Sequence, residues 1–130
     1  MVTAMYASLL ALLICWLAIN VIKSRRSNRV LYGDGGVKEV QIARTAHSNA
    51  VEYTPLSLIL LFLLEYNAST VWLVHIMGIL LLLGRLVHAR GILTESLKYR
   101  VQGMQLTFGV IISLAVLNFI FLPFGMLFSL

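Results

Sequence analysis

Three long stretches of this chain carry no Asp, Glu, Lys or Arg: residues 1–22, 66–84 and 101–130. A water-soluble domain carries about a quarter charged residues. Here the share is 12%, with 60% hydrophobic residues and a mean hydropathy of +0.93. A soluble globule and a disordered chain are both excluded by that composition. At 130 residues the chain is long enough for a single domain. Its apolar runs must be covered by lipid, by each other or by sister subunits.

The first run has no basic start and no small-residue cleavage site, so it reads as a membrane span and not as a secretory signal. Four spans are expected, at about residues 2–23, 44–65, 67–89 and 100–122, the last ending before Pro123. The second is the least apolar. Residues 53–64 are too short an uncharged run, at a rise of about 1.5 Å per residue, to cross a core of about 30 Å. It reaches across only if the helix continues backward through Glu52, Asn49, His47 and Arg44, with those polar groups facing protein. The runs do not alternate, which argues against a β-barrel. The fold class is therefore an all-α integral membrane domain, a bundle of four transmembrane helices over residues 1–130. Residues 23–38, with KSRRSNR and the turn-rich YGDGG, form the main loop. A hinge at residues 65–69 follows span two, where Asn67 or Ser69 is placed to cap the third helix. Residues 90–99 join spans three and four. Cys15, the single cysteine, permits no internal disulfide and reads as a small apolar filler.

The ten basic residues fall in two groups. Lys23, Arg25, Arg26, Arg29, Lys38 and Arg44 flank the first loop; Arg85, Arg90, Lys98 and Arg100 flank the third. All lie on one side, which the positive-inside rule makes cytoplasmic, with both termini opposite. For Lys23, Arg29, Lys38, Arg90 and Lys98 the expected role is topology and contact with lipid headgroups. Basic residues flanking spans are no sign of nucleic-acid binding. His47, His75 and His88 are too scattered for a metal site, and no phosphate loop, Ser-His-Asp order or nucleotide fingerprint is present.

A second group of polar residues lies deeper. On span two, Asn49, Glu52 and Tyr53 share an arc of roughly 100°. On span three, Arg85 and His88 are an i, i+3 pair, and Arg100 opens span four. A carboxylate and a guanidinium inside membrane segments require each other or a charged ligand. A Glu52–Arg85 ion pair that only fixes packing is the plain alternative to a ligand site. Intramembrane ionisable groups mark functional sites by default. Several arginines suit carboxylates, and Glu52 suits an ammonium, so the expected ligand is a water-soluble zwitterion taken at the cytoplasmic rim.

The string ARTAHSNAVEYTP (residues 43–55) resembles the R-x-A-H-x-N-x-x-E-x-x-P signature of the MAPEG family, the membrane-associated proteins of eicosanoid and glutathione metabolism. VIKSRRSNRV (residues 21–30) is similar to the basic exit of that family's first helix. GRLVHARGI (residues 84–92) is similar to its third-helix A-R-x-x-Y-x-x-G run, and RVQGMQLTF (residues 100–108) to bacterial members. The resemblance implies a homotrimer in a bacterial inner membrane, with glutathione as co-substrate held between subunits at the cytoplasmic rim. It implies a transferase or peroxidase acting on lipophilic electrophiles. Carried over by position, Arg25 or Arg26 reaches a glutathione carboxylate, Asn49, Glu52 and Tyr53 contact the peptide, and Arg85 and His88 do so from helix three. Arg100 matches the arginine that stabilises the thiolate in catalytic members. This chain departs from the pattern in two places. Thr45 stands where the family has arginine; Arg44, one place earlier and pointing about 100° away from the Asn49/Glu52 arc, is the candidate glutathione contact and is expected to reach round from a frayed helix start. His88 and Ile92 replace aromatic hydroxyls, and Ile92 cannot hydrogen-bond. His47 points away from Asn49 and is expected to pack or cap, and His75 to bond a neighbouring helix.

Two other functions fit the same architecture. One is a non-catalytic membrane protein that binds a lipid or thiol. The other is a small multidrug transporter with one membrane carboxylate, but such transporters place the acid in helix one, which is uncharged here.

Overall fold

The structure, a computed structural model, describes residues 1–68 and 70–129. Among these it is helical and contains four long helices: α1 (Val2–Asn28), α2 (Lys38–Ala68), α3 (Val71–Leu93) and α4 (Leu97–Ile120), followed by a single turn, α5 (Phe124–Leu127). Three of them, α1, α3 and α4, are long and apolar enough to cross a membrane. Helix α2 is the longest, at 31 residues. Its first half is too polar to read as a span, although the helix does run back unbroken through Glu52, Asn49, His47 and Arg44, as expected. It starts at Lys38, ahead of residue 44, because Glu39 in its first turn suits the helix dipole and Val40 and Ala43 are buried.

Each helix buries a narrow seam. On α1 the seam is Thr3, Tyr6, Leu10, Leu17 and Ser24; on α4 it is Gly103, Thr107, Val110 and Leu114. These recur at three and four residues, one stripe of a helix. Much of the bulky apolar surface points outward, including Leu12, Trp16, Ile59, Ile112 and Phe119. Large apolar side chains turned outward are the arrangement expected of helices whose solvent is lipid. Cys15 lies on this outer surface and fills no core position.

Helix α3 holds the bundle together. It packs most extensively on α4 and also on α2 and α1, whereas α1 and α4 do not meet. The α3–α4 crossing is close because two glycines permit it. A Cβ on Gly91 would strike the backbone of Arg100, and one on Gly103 would strike the backbone of His88. Tyr6 lies over Gly78 in the same way, and its hydroxyl bonds His75 Nδ1 at 2.9 Å. His75 therefore does bond a neighbouring helix.

The turns differ in detail from the expected ones. Asn67 lies within α2, and α3 is preceded by Thr70 with no side-chain cap; Ser69 lies outside the described residues. Glu65 does the capping instead, but for α1. Its carboxylate accepts the N–H groups of Val2 and Thr3 at 2.6 and 2.7 Å, two of the donors a helix start leaves unpaired. At the opposite end, Lys38 pairs with Glu95 at 2.5 Å, which brings the two basic connections together as the charge pattern requires.

Candidate functional site

Among the described residues the most buried charged group is Arg85, on α3 and only 1% exposed. Its Nη2 donates to Asn49 Oδ1 of α2 and lies 3.2 Å from His88 Nδ1. Nη1 is 3.4 Å from Thr107 Oγ1 of α4, and Nε has no partner. The guanidinium carbon sits 5.7 Å from the Tyr53 ring centroid, and Tyr53 is itself held edge-on by Phe108 of α4 at 5.5 Å. The alternative to a ligand site, a Glu52–Arg85 ion pair, is not made. Among the described residues the ion pair is Lys38–Glu95, and Glu52 lies exposed on the outer face of α2. Arg85 thus keeps a buried positive charge with neutral partners alone. That is costly in low dielectric.

Asn49 connects this charge to the surface. Together with Glu52, Arg44, Thr45, Ser48, Gln41 and Asp34 it lines a cleft of about 460 Å³. Thr45 shares the Asn49/Glu52 face as helical geometry requires. Arg44 reaches the same cleft from its flank, where it faces Asp34. The helix begins six residues before Arg44, so its long side chain, and no fraying of the backbone, brings it there. Asp34 belongs to the glycine-rich turn of residues 33–36, in which Gly33, Gly35 and Gly36 all have positive φ. The Gly36 N–H donates to Asp34 Oδ1 at 2.8 Å. That bond, then the Gln41 side chain and Arg44, hold the Asp34 carboxyl below the ordinary carboxylate range.

Arg100 does not line this cleft. It borders a second one of about 330 Å³, with Lys38, Glu95, Ile92 and Gly91. Gln41 and Thr45 line both clefts, so the two adjoin at α2. Arg25 and Arg26 stand elsewhere, in a cleft of about 550 Å³ with Arg29 and Ile22 that shares no residue with the others. Arg25 Nη1 is buried there without a partner. Of the expected residues, one chain therefore brings together Arg44, Asn49, Glu52, Tyr53, Arg85 and His88, sets Arg100 beside them, and turns Arg25 and Arg26 to another face. His47 is half-buried well inside α2 and caps nothing. Sequence reasoning missed Thr107, Phe108, Gln41 and Ser48. Thr107 gave little signal among the other polar residues of its helix, Gln102, Gln105, Ser113 and Asn118; Gln41 and Ser48 share the helical face of Thr45 and Glu52, and Phe108 becomes visible only through the helix crossing.

Comparison with known proteins agrees with this architecture. The family model described as "MAPEG family" matches residues 3–120. The chain is also 41% identical, over its whole length and 99% of theirs, to the proteins named inner membrane protein YecN in Escherichia coli strain K12 and in Escherichia coli O6:H1. Both relatives are inner-membrane proteins by name, in line with the location read from the sequence. The chain is an integral membrane protein and belongs to the MAPEG family.

Proposed function

We propose that this protein is a glutathione-dependent membrane transferase or peroxidase acting on lipophilic electrophiles. The observation that carries the reading is Arg85, a buried guanidinium with no carboxylate partner, linked through Asn49 to an open polar cleft. Glutathione supplies what the site lacks: two carboxylates for guanidinium forks and an ammonium for Glu52. The cleft lies on the cytoplasmic side by the positive-inside rule.

The separate placement of Arg25 and Arg26 supports a homotrimer in which these residues reach the α2 cleft of a neighbouring subunit. The polar outer face of α2 supports it too, because a four-span topology would otherwise leave Glu52, Ser48 and Thr45 facing lipid. In this reading Arg100 approaches the glutathione sulfur across the shared Thr45–Gln41 border. A cation there favours the thiolate, and the thiol proton leaves to solvent. With a chlorodinitrobenzene substrate the sulfur lone pair forms the new S–C bond, and chloride departs with the electron pair of the bond that breaks. With a lipid hydroperoxide, two glutathiones are oxidised to the disulfide while the O–O bond is reduced to an alcohol and water.

The test is the near-ultraviolet thiolate absorbance of purified protein on adding glutathione. It should appear in the native protein and vanish in Arg100→Ala. Absence of the band with glutathione bound favours the second reading, a non-catalytic thiol or lipid binder. That reading has one observation behind it: Arg100 is exposed beside Glu95 and Lys38, outside the cleft that Asn49 and Glu52 line. Turnover of chlorodinitrobenzene, measured alongside binding, separates the two.

A further inference from the structure

One face of α1 carries a second arrangement that the glutathione reading does not use. Leu13, Trp16, Asn20, Lys23, Ser24 and Ser27 fall within an arc of about 100° at 3.6 residues per turn. The lower half of this face is apolar. Leu13 and Trp16, with Leu86 and Leu93 of α3, line a groove of about 510 Å³ that ends at Arg90. The upper half is polar. Asn20, Lys23, Ser24 and Ser27, with Glu39 of α2, line a cavity of about 310 Å³. Leu93 belongs to both, so groove and cavity meet.

The cavity is lined by a polar group that the protein itself leaves unsatisfied. Ser24 is 4% exposed, and its Oγ has no hydrogen-bond partner. Serines in helices usually bond back to the preceding turn, as Ser27 does to Lys23 O at 3.0 Å. Ser24 does not. Glu39 uses Oε2 to accept from Asn28 Nδ2 at 2.9 Å. Lys23 and Glu39 line one cavity yet form no ion pair with each other, the pair among the described residues being Lys38–Glu95. Two opposite charges held apart across a cavity fit a guest that carries both.

We infer that this face binds a zwitterionic aminophospholipid, with its acyl chain along Leu13, Trp16 and Leu86 and its headgroup between Lys23 and Glu39. The phosphodiester lies toward Lys23 and Arg90, the primary ammonium toward Glu39, and the Ser24 hydroxyl bonds a headgroup oxygen. The apolar-to-polar change along α1 occurs at Asn20, near the depth where a bilayer changes from hydrocarbon to headgroup. Lys23 and Arg90 thereby hold a defined lipid and do not merely set topology. This inference is independent of glutathione binding, since none of its residues line the α2 cleft.

The test is native mass spectrometry of the full chain in detergent, with equal amounts of dioleoyl phosphatidylethanolamine and dioleoyl phosphatidylglycerol. The native protein should retain the ethanolamine lipid about fivefold better, the scale of one partly exposed ion pair. Glu39→Gln keeps an acceptor for Asn28 and should erase that preference by weakening the ethanolamine lipid alone. Trp16→Ala should weaken both lipids, and Lys23→Gln should do the same, so either carries the test if Glu39→Gln does not fold. Free phosphoethanolamine should not displace the lipid. Equal retention of the two lipids, preference for phosphatidylglycerol, an unchanged preference in Glu39→Gln, or displacement by phosphoethanolamine at lipid-matched concentration each overturns the inference.

Discussion

Replacing Arg85 by methionine should make the ligand-free protein more stable and abolish its glutathione binding. Burying an ion in low dielectric costs several kcal/mol, and replacing buried ionic groups by apolar ones of similar volume is often stabilising by about 1–4 kcal/mol. Arg85 has less to offset that cost than most buried ions. It has no carboxylate, a long contact to Thr107 and an unpartnered Nε. Its strongest bond is to Asn49, and charge-assisted bonds contribute about 1.5–3 kcal/mol. Two of its three partners are not stranded by the change, while buried His88 Nδ1 loses its 3.2 Å contact. Thr107 Oγ1 still donates to Gly103 O at 2.8 Å, and Asn49 opens onto the cleft. The net expectation is a gain of about 1–2 kcal/mol, the lower part of the range for removed buried ions. The assay is thermal unfolding in detergent with and without glutathione. At a hundred times its dissociation constant a ligand stabilises its target by about 2.7 kcal/mol, so the native protein should shift upward and Arg85→Met should not. A loss of about 2 kcal/mol or more in Arg85→Met without ligand would identify Arg85 as a packing strut. An undiminished glutathione shift in the variant would remove Arg85 from the site.

Other consequences follow from the packing and the turns. Gly103→Ala should lower stability by about 1–3 kcal/mol because its Cβ meets the backbone of α3 at His88. Gly109→Ala, with no atom within 4 Å, should gain up to about 1 kcal/mol in helix propensity; paired melting curves check both. Glu65→Ala should cost about 1–2 kcal/mol as a lost helix cap and raise amide exchange at Val2 and Thr3 above the rest of α1. The Asp34 carboxyl is held below its ordinary value of 3.8, chiefly by the Gly36 N–H. Its contribution to the turn is complete above that ordinary value and fades as pH falls through the lowered folded value. The Gly36 amide resonance should therefore titrate below pH 3.8 and cease to do so in Asp34→Asn.

The helices were legible because lipid-exposed stretches exclude charge, and α1, α3 and α4 each carry a long uncharged run, over residues 2–22, 71–84 and 101–120. Helix α2 was legible only by inference: its polar half had to be helical because residues 53–64 fall short of a span. The pairing of Arg85 with His88 was also readable, since i, i+3 spacing puts both on one face. What spacing could not supply was the partner across each crossing. Glu52 was the natural counter-ion for Arg85 by charge, yet Asn49 is the residue turned inward while Glu52 faces out. Glu65 looked like a hinge residue because its role lies at a sequence separation of 62–63, beyond any local pattern. Thr107 meets Arg85 only because Gly84, Gly91 and Gly103 let α3 and α4 approach so closely.

The end of α1 shows why a count of basic residues understates what they do. Ile22, Arg25, Arg26 and Arg29 occupy an arc of about 100°, and Asn20, Lys23, Ser24 and Ser27 occupy another roughly opposite it. One helix end thus presents two polar faces to two separate cavities. The face with three guanidiniums and no acid suits a ligand with several anionic groups, and it points away from the α2 cleft of its own chain. The face with one ammonium opposite one carboxylate suits a zwitterion and continues into an apolar groove. Positive charge at a membrane's cytoplasmic edge needs only topology to explain it. If the two opposed faces hold the two proposed guests, Arg25→Ala and Lys23→Gln should act separately: the first on glutathione binding, the second on lipid retention.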